Sequence, residues 1–168
     1  SNLGIKEAKG EYILRLDADD RLYPRAVAKE AEILDKNEEI DFVYPDYDYY
    51  FEANDQIKRK YLPPFDHQEL TERGDFLSGG TMYRRSLFNK VGLYDETLTT
   101  LESYEFILRL VKNGIKGYHL EDALFQYYIH QNNMSNNKEL ILRVAKDIAD
   151  RYGIKYSVNK NHPRSIND

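Results

Sequence analysis

Tyr12-Ile13-Leu14-Arg15-Leu16-Asp17-Ala18-Asp19-Asp20 is the stretch on which the reading of this chain turns. Tyr12 to Leu16 reads as a largely apolar strand, and it runs without a break into three carboxylates within four residues. Like charges held that close repel, so a folded chain keeps them together either in open solvent or around a cation. Side chains that offer only oxygen favour hard cations such as Mg²⁺ or Mn²⁺. The carboxyl end of a strand in an open α/β sheet is also where ligands bind. Asp17, Asp19 and Asp20 are therefore candidate cation and ligand contacts, with a solvated acidic turn as the plain alternative.

Working outward, Lys9-Gly10 closes a short helical piece upstream. Downstream, Pro24 suits a first helical turn, and Tyr23, Val27, Ala31 and Leu34 recur at helical spacing. Ile40 to Tyr44 predicts a second strand, and residues 47–62 a hairpin turning near Ala53-Asn54-Asp55. The aromatics of Tyr47-Asp48-Tyr49-Tyr50-Phe51 suit a half-buried pleated surface, and Lys58-Arg59-Lys60 reads as its solvated return strand. Residues 63–74 predict a loop, Thr81-Met82-Tyr83 a short strand, and Ser86 to Val91 a helix. Thr99 to Lys112 predicts a longer helix, with Leu101, Tyr104, Leu108 and Val111 on one face and Gly114 as its stop. Strands near 116–120 and 124–129, an amphipathic helix from Lys138 to Tyr152 and a polar tail with Pro163 complete the chain. Strands alternating with helices indicate the α/β class.

The length of 168 residues fits one domain, since domains usually hold about 100–200 residues. A content of 41% hydrophobic and 32% charged residues excludes wholesale disorder. The net charge of −5 argues against nucleic acid as a partner, because that needs a basic footprint. No apolar run reaches the roughly 18 residues that a membrane span requires. The opening Ser1-Asn2-Leu3-Gly4 has neither the basic nor the apolar region of a signal peptide, and cysteine is absent. The expectation is a cytoplasmic protein, the cytoplasmic face of a membrane included, whose sequence starts part-way along a longer protein or after a tag remnant. An EF-hand would need Gly at the sixth position from Asp17, where Leu22 stands. The strand-Asp-x-Asp of haloacid-dehalogenase phosphatases usually continues Gly-Thr, where this chain has Asp20-Arg21. No Walker-type loop supports a different phosphotransferase.

Residues 2–13, Asn2-Leu3-Gly4-Ile5-Lys6-Glu7-Ala8-Lys9-Gly10-Glu11-Tyr12-Ile13, followed by Leu16-Asp17-Ala18-Asp19-Asp20, resemble the middle of glycosyltransferase family 2. Three further segments match in the family's order. Gly79-Gly80-Thr81-Met82-Tyr83-Arg84-Arg85-Ser86, running on to Val91-Gly92-Leu93-Tyr94-Asp95-Glu96, resembles its acceptor-side segment. Glu102-Ser103-Tyr104-Glu105-Phe106-Ile107-Leu108-Arg109-Leu110 resembles its Glu-Asp helix. Tyr127-Tyr128-Ile129-His130, with Met134-Ser135 after it, resembles its closing Tyr-x-x-His segment. Each piece alone is weak, and four in order are specific.

The resemblance implies an incomplete GT-A fold, a Rossmann-like mixed sheet flanked by helices as in nucleotide-diphospho-sugar transferases. It implies inverting, metal-dependent transfer of a sugar from a nucleotide diphosphate sugar to a hydroxyl of a glycan or other acceptor, in polysaccharide or cell-surface glycan synthesis. Asp17 would contact the donor ribose, Asp19 would hold Mn²⁺ or Mg²⁺ at the diphosphate, and Asp20 would stand behind it. His130 would reach the metal or the diphosphate; without the resemblance it is a polar strand-end residue. Residues 1–135 would be the C-terminal part of the catalytic domain and 136–168 an added helix and tail.

Two departures qualify the match. Ser103 stands where the family's general base is an Asp, and a hydroxyl cannot act as a base near neutral pH. Glu102 is then the first candidate for that role and Glu105 the second. The strand, loop and Asp that grip the nucleotide base would lie upstream of residue 1. The 168 residues alone are therefore expected to be inactive, with a sheet edge open to self-association. A non-catalytic module for binding a sugar or a partner, built on the same fold, is the alternative.

Overall fold

The computed structural model describes residues 1–68, 71, 77, 79–131 and 137–154. The first helix, α1 (Asn2–Glu7), leads into β1 (Tyr12–Leu14), and the acidic turn connects this to β2 (Arg21–Leu22). Helix α2 (Ala26–Lys36) precedes the hairpin of β3 (Phe42–Phe51) and β4 (Gln56–Lys60). Then come β5 (Met82–Arg84), α3 (Leu87–Val91), α4 (Glu102–Lys112), β6 (Gly117–Ile129) and α5 (Lys138–Tyr152). The strands form one mixed sheet in the order β1-β5-β3-β6-β2, with β4 added beside β3. Among the described residues only β3 and β6 run parallel, and the other pairs are antiparallel. Among the described residues the outer edge of β1 has no strand partner.

The two central strands are longer than their sequence suggests. Pro45 splits the expected strand at 40–44 from the hairpin at 47–62, because proline cannot donate to a ladder. In the fold β3 is continuous, and the irregularity is absorbed as a register shift across Pro45, Asp46 and Tyr47. On the β6 side the same shift passes over Glu121 and Asp122, since Leu120 pairs with Pro45 and Ala123 with Asp46. The two strands expected at 116–120 and 124–129 are therefore one.

Side chains alternate across β3 on either side of the register shift over Pro45–Tyr47, which switches the parity and keeps the aromatics before and after it on one face. Phe42, Tyr44, Tyr47 and Tyr49 enter the main core with Tyr83, Phe106 and Phe125, closed by α3 and α4. Val43 packs with Met82 and Leu34 beneath α2 on the other face. Leu101, Tyr104 and Leu108 of the α4 region meet Val144, Ala145 and Ile148 of α5 in a third cluster. The α4–α5 packing follows the expected spacing at Leu101, Tyr104 and Leu108, while Val111 packs on the main core. Helix α2 follows its expected spacing at Ala31 and Leu34 but not at Val27. Val27, expected on the buried face of α2, is 53% exposed, and the buried residues are Ala26, Glu30 and Leu34. The left-handed backbone of Arg25 (φ 70°) starts the helix at Ala26 and so rotates its face. Tyr23 stays outside the helix and donates from its hydroxyl to Asp48 Oδ2 at 2.7 Å.

Glu30 is an unusual residue for that buried face. It is 0% exposed, and neither carboxylate oxygen has a hydrogen-bond partner. Burial pushes its pKa from 4.5 up to about 9, and the approach of the Met82 backbone amide offsets this only in part. The folded state therefore holds a proton that the unfolded chain releases. Stability is full below about pH 4.5 and falls as the pH rises through about 9. Glu30→Leu is expected to raise the melting temperature at about pH 8, by about 1–3 kcal/mol of stability, and to flatten this fall. Thermal denaturation across pH checks it, and an unchanged pH slope would place the titrating group elsewhere.

Candidate active site

Pairing with β5 continues past the end of β1. The Arg15 amide donates to Thr81 O at 3.2 Å, and Gly80 N donates to Arg15 O at 2.8 Å. The chain then tightens, with Asp20 N donating to Asp17 O at 3.1 Å, and this turn places the three carboxylates at the sheet end. The end of β6 returns to the same place through its pairing with β2. His130 Nε2 lies 3.0 Å from Asp19 Oδ2, and the backbone N–H of Tyr128 donates to Asp20 Oδ1 at 3.1 Å. Residues 111 apart in sequence thus meet, with Asp19 and His130 side chains 44% and 24% exposed.

Asp20 differs from its neighbours in being buried, and its Oδ2 has no hydrogen-bond partner. Burial first, then the nearby Asp17 and Asp19 charges, raise its pKa to about 7, against the pull of the Tyr128 amide and Arg15. The space beside Oδ2 exists because residue 79 is glycine. A Cβ there would lie 2.9 Å from Asp20 Oδ2, and one on Gly80, whose φ is +75°, would lie 2.3 Å from Phe125 Cδ1.

Arg15 links this turn to α4. Its Nε lies 3.2 Å from Asp17 Oδ1, Nη1 donates to Ser103 Oγ at 2.7 Å, and Nη2 donates to Glu102 Oε1 at 3.0 Å. The guanidinium carbon sits 5.3 Å from the centre of the Tyr94 ring. Tyr94 is itself fixed by the buried Asn2, whose side-chain amide bonds both its backbone N–H and its carbonyl. Glu102 and Ser103 would diverge by about 100° on a regular helix. The two ends of the guanidinium fork nonetheless reach both. They sit at the very start of α4, after Leu101 turns the chain with φ 60°. That left-handed conformation is uncommon for a non-glycine residue, and the 4% exposed Leu101 is held in it by packing against α5.

Glu105, the second candidate for the base, is closed in by its partners. It is 4% exposed, and Arg109 takes both its oxygens at 2.9–3.0 Å. Tyr152 donates to Oε1 as well, at 2.5 Å. Arg109 also bonds the carbonyls of Val91 and Leu93, so Glu105 is a structural clamp on the α3–α4 connection. Among the described residues no group of three or more His, Asp or Glu side chains could enclose a metal ion by itself. Met134 and Ser135, the loop residues 69, 70 and 72–76, and the tail with Pro163 lie outside the described residues. Arg15 is not marked by the strand pattern of residues 12–16; a lone cation two residues before an acidic cluster is the signal that points to it.

The mixed sheet thus ends in an acidic turn that faces a histidine just past its last strand. The profile of glycosyl transferase family 2 matches residues 1–92, and the chain belongs to this family. It is 26% identical over 167 residues to an uncharacterized glycosyltransferase of Methanocaldococcus jannaschii, covering 96% of this chain and 56% of that protein. Among solved structures, S. aureus TarS (residues 1–349) superposes with a TM-score of 0.61 at 20% identity, over 89% of this chain and 42% of that one. GalNAc-T7, solved with UDP, GalNAc and Mn²⁺, superposes with a TM-score of 0.56 at 15% identity, over 92% of this chain and 40% of that one. These likenesses show the GT-A fold, a mixed α/β sheet flanked by helices. The chain spans about half the length of the curated relatives it matches. No described helix is long and apolar enough to cross a membrane.

The two glycines give a test of how tightly the site is built. Gly79→Ala is expected to cost about 1–3 kcal/mol by crowding the buried Asp20, and Gly80→Ala more, because it meets the core ring of Phe125 in a strained backbone. Gly4→Ala, in a helix with nothing within 4 Å of the added methyl, is the control and should be neutral or stabilising. Denaturant unfolding of the three variants checks the order.

Proposed function

We propose that the whole protein transfers a sugar from a nucleotide diphosphate sugar to an acceptor hydroxyl, with inversion and with a divalent cation, in polysaccharide or cell-surface glycan synthesis. The observation that carries this reading is the meeting of Asp19 with His130 at the sheet end, in a chain of family 2. A donor set of one carboxylate and one imidazole suits Mn²⁺, and Mg²⁺ also binds through few protein oxygens while keeping waters and substrate phosphates. Asp19 and His130 would hold the cation. When bound it supplies positive charge against the diphosphate that leaves.

This chain's own residues divide the remaining work. Asp17, 38% exposed on its side chain and steadied by Arg15, takes the donor ribose. Asp20, tied to the Tyr128 amide, holds the turn against the end of β6 and so sets Asp19 opposite His130. Glu102 is the base: the acceptor hydroxyl attacks the anomeric carbon on the face opposite the diphosphate while its proton passes to the carboxylate. Glu102 binds Arg15 through Oε1, and its other oxygen has no partner among the described residues. Residues 1–135 belong to the transferase unit in this reading, and 136–168 are appended to it. The UDP bound by TarS and GalNAc-T7 supports a UDP-sugar as the first donor to try. A second reading, a non-catalytic module on the same fold, is favoured by Ser103, whose hydroxyl takes Arg15 where a base would stand.

Sugar turnover by the whole protein separates the two. Asp19→Ala should lower Mn²⁺-dependent release of UDP from a UDP-sugar by at least about 10²-fold, with melting unchanged. Wild-type turnover that persists in excess chelator would overturn the cation assignment. Calorimetry with UDP should show weaker binding to residues 1–168 than to the whole protein, and equal binding would place the nucleotide site within this chain.

A further inference from the structure

The acidic turn and the start of α4 are separate in sequence and lie on the two sides of the proposed reaction. Asp17 stands with the donor, and Glu102 with the acceptor. One side chain touches both. Arg15 gives Nε to Asp17, Nη1 to Ser103 and Nη2 to Glu102. Its side chain is 19% exposed and lies over the Tyr94 ring. Burial opposes its charge, yet Asp17, Tyr94 and Glu102 together raise its pKa above the ordinary value, so it stays a cation.

We infer that Arg15 is a positioning residue for sugar transfer, fixing the acceptor-side carboxylate Glu102 relative to the donor-side carboxylate Asp17 through one guanidinium. The inference rests on the functional reading above and deepens it. The geometry of the fork is what makes the role specific. A planar guanidinium presents donors in three directions at fixed angles, whereas an ammonium is a single point of charge. Ser103 has a part in this arrangement. Its neutral hydroxyl occupies Nη1 without adding a third carboxylate, so Glu102 is the only anion that α4 gives to Arg15. Glu102 is held by one oxygen, which settles its rotamer and leaves the other to receive a proton. The Tyr94 plate beneath, locked to Asn2, keeps the guanidinium from tilting. Arg15 does not act on the substrate; it acts through Glu102 and Asp17.

The test uses the whole protein with Mn²⁺ and UDP-glucose, UDP-galactose and UDP-N-acetylglucosamine in turn, read as UDP release, with UDP affinity and thermal melting measured alongside. Arg15→Lys keeps the charge but not the fork, and kcat should fall by about 10–10²-fold, the scale of a misplaced catalytic group. Ser103→Ala removes one acceptor of the fork and no charge, and kcat should fall by about three- to tenfold with melting unchanged. Arg15→Met and Glu102→Gln should each lower kcat. The double variant should have a kcat no more than about threefold below that of Glu102→Gln alone, because the effect of Arg15 on kcat runs through Glu102, whereas its hold on Asp17 shows in UDP affinity. Losses that multiply in the double variant, Glu102→Gln at the wild-type rate, or Arg15→Lys and Ser103→Ala both at full kcat, would each overturn the inference while leaving the transferase reading intact. A wild-type protein that neither turns over these donors nor binds UDP overturns the transferase reading and this inference with it.

Discussion

The parallel pairing of β3 with β6, from Phe42 opposite Gly117 to Phe51 opposite Ile129, is the constraint on which the site depends. It spans the sheet from the β3–β5 pairing at one end to the end of β6, where Tyr128 and His130 reach the acidic turn. Along it the aromatic rings interlock: the buried Tyr47 stacks on the buried Phe125 at 4.8 Å, and the half-buried Tyr50 meets Tyr128 in a tilted contact at 4.4 Å. Large faces buried in this way make the register costly to shift, since a slip of one residue would turn every ring to the other face. A slip would also carry His130 and the Tyr128 amide away from Asp19 and Asp20. The bulge across Pro45 and Asp46 sits inside this pairing and is secured by polar bonds. Asp46 Oδ1 accepts from His119 and from the Leu62 amide, both at 2.8 Å.

The site combines a rigid frame with polar groups that are only partly satisfied. Asp20 keeps an oxygen without a partner among the described residues, packed against Gly79 where a side chain would crowd it, and Leu101 keeps a left-handed backbone. Departures of this kind persist only where surrounding packing holds them. Here the packing is identifiable: Phe125 beside Gly80, and Val144, Ala145 and Ile148 beside Leu101. Glu30 is a third such departure, but it lies in the core beneath α2 and has no part in the site. Its burial concerns stability alone.

The site residues divide by how far apart in sequence their partners lie. The acidic turn of Asp17, Asp19 and Asp20 was legible as a turn at the strand end because a strand running into three carboxylates is a pattern of nine residues. Helix α5 was legible end to end, because the apolar spacing and Gly153 mark both its face and its stop. The α2 face was legible at Ala31 and Leu34, which pack on the core, but not at Val27, because the buried stripe runs through Ala26, Glu30 and Leu34 after the left-handed turn at Arg25. The surroundings of Glu105 were legible in part. On a helix its nearest cation is Arg109, one turn on, and that local pair took the carboxylate that a cleft would have needed.

What the sequence determined by itself was the class of the fold, the family, and the acidic turn at the end of β1. These follow from local pattern, since periodicity, turn residues and the motif order are all written within short stretches. What only the tertiary structure decided was which groups meet. His130 reaches Asp19 through the β3–β6 and β2–β6 pairings, and Glu102 and Ser103 share one guanidinium because Leu101 turns the chain before α4. Distances between side chains about 90 to 110 residues apart are set by the packing of the whole sheet, and no local spacing encodes them.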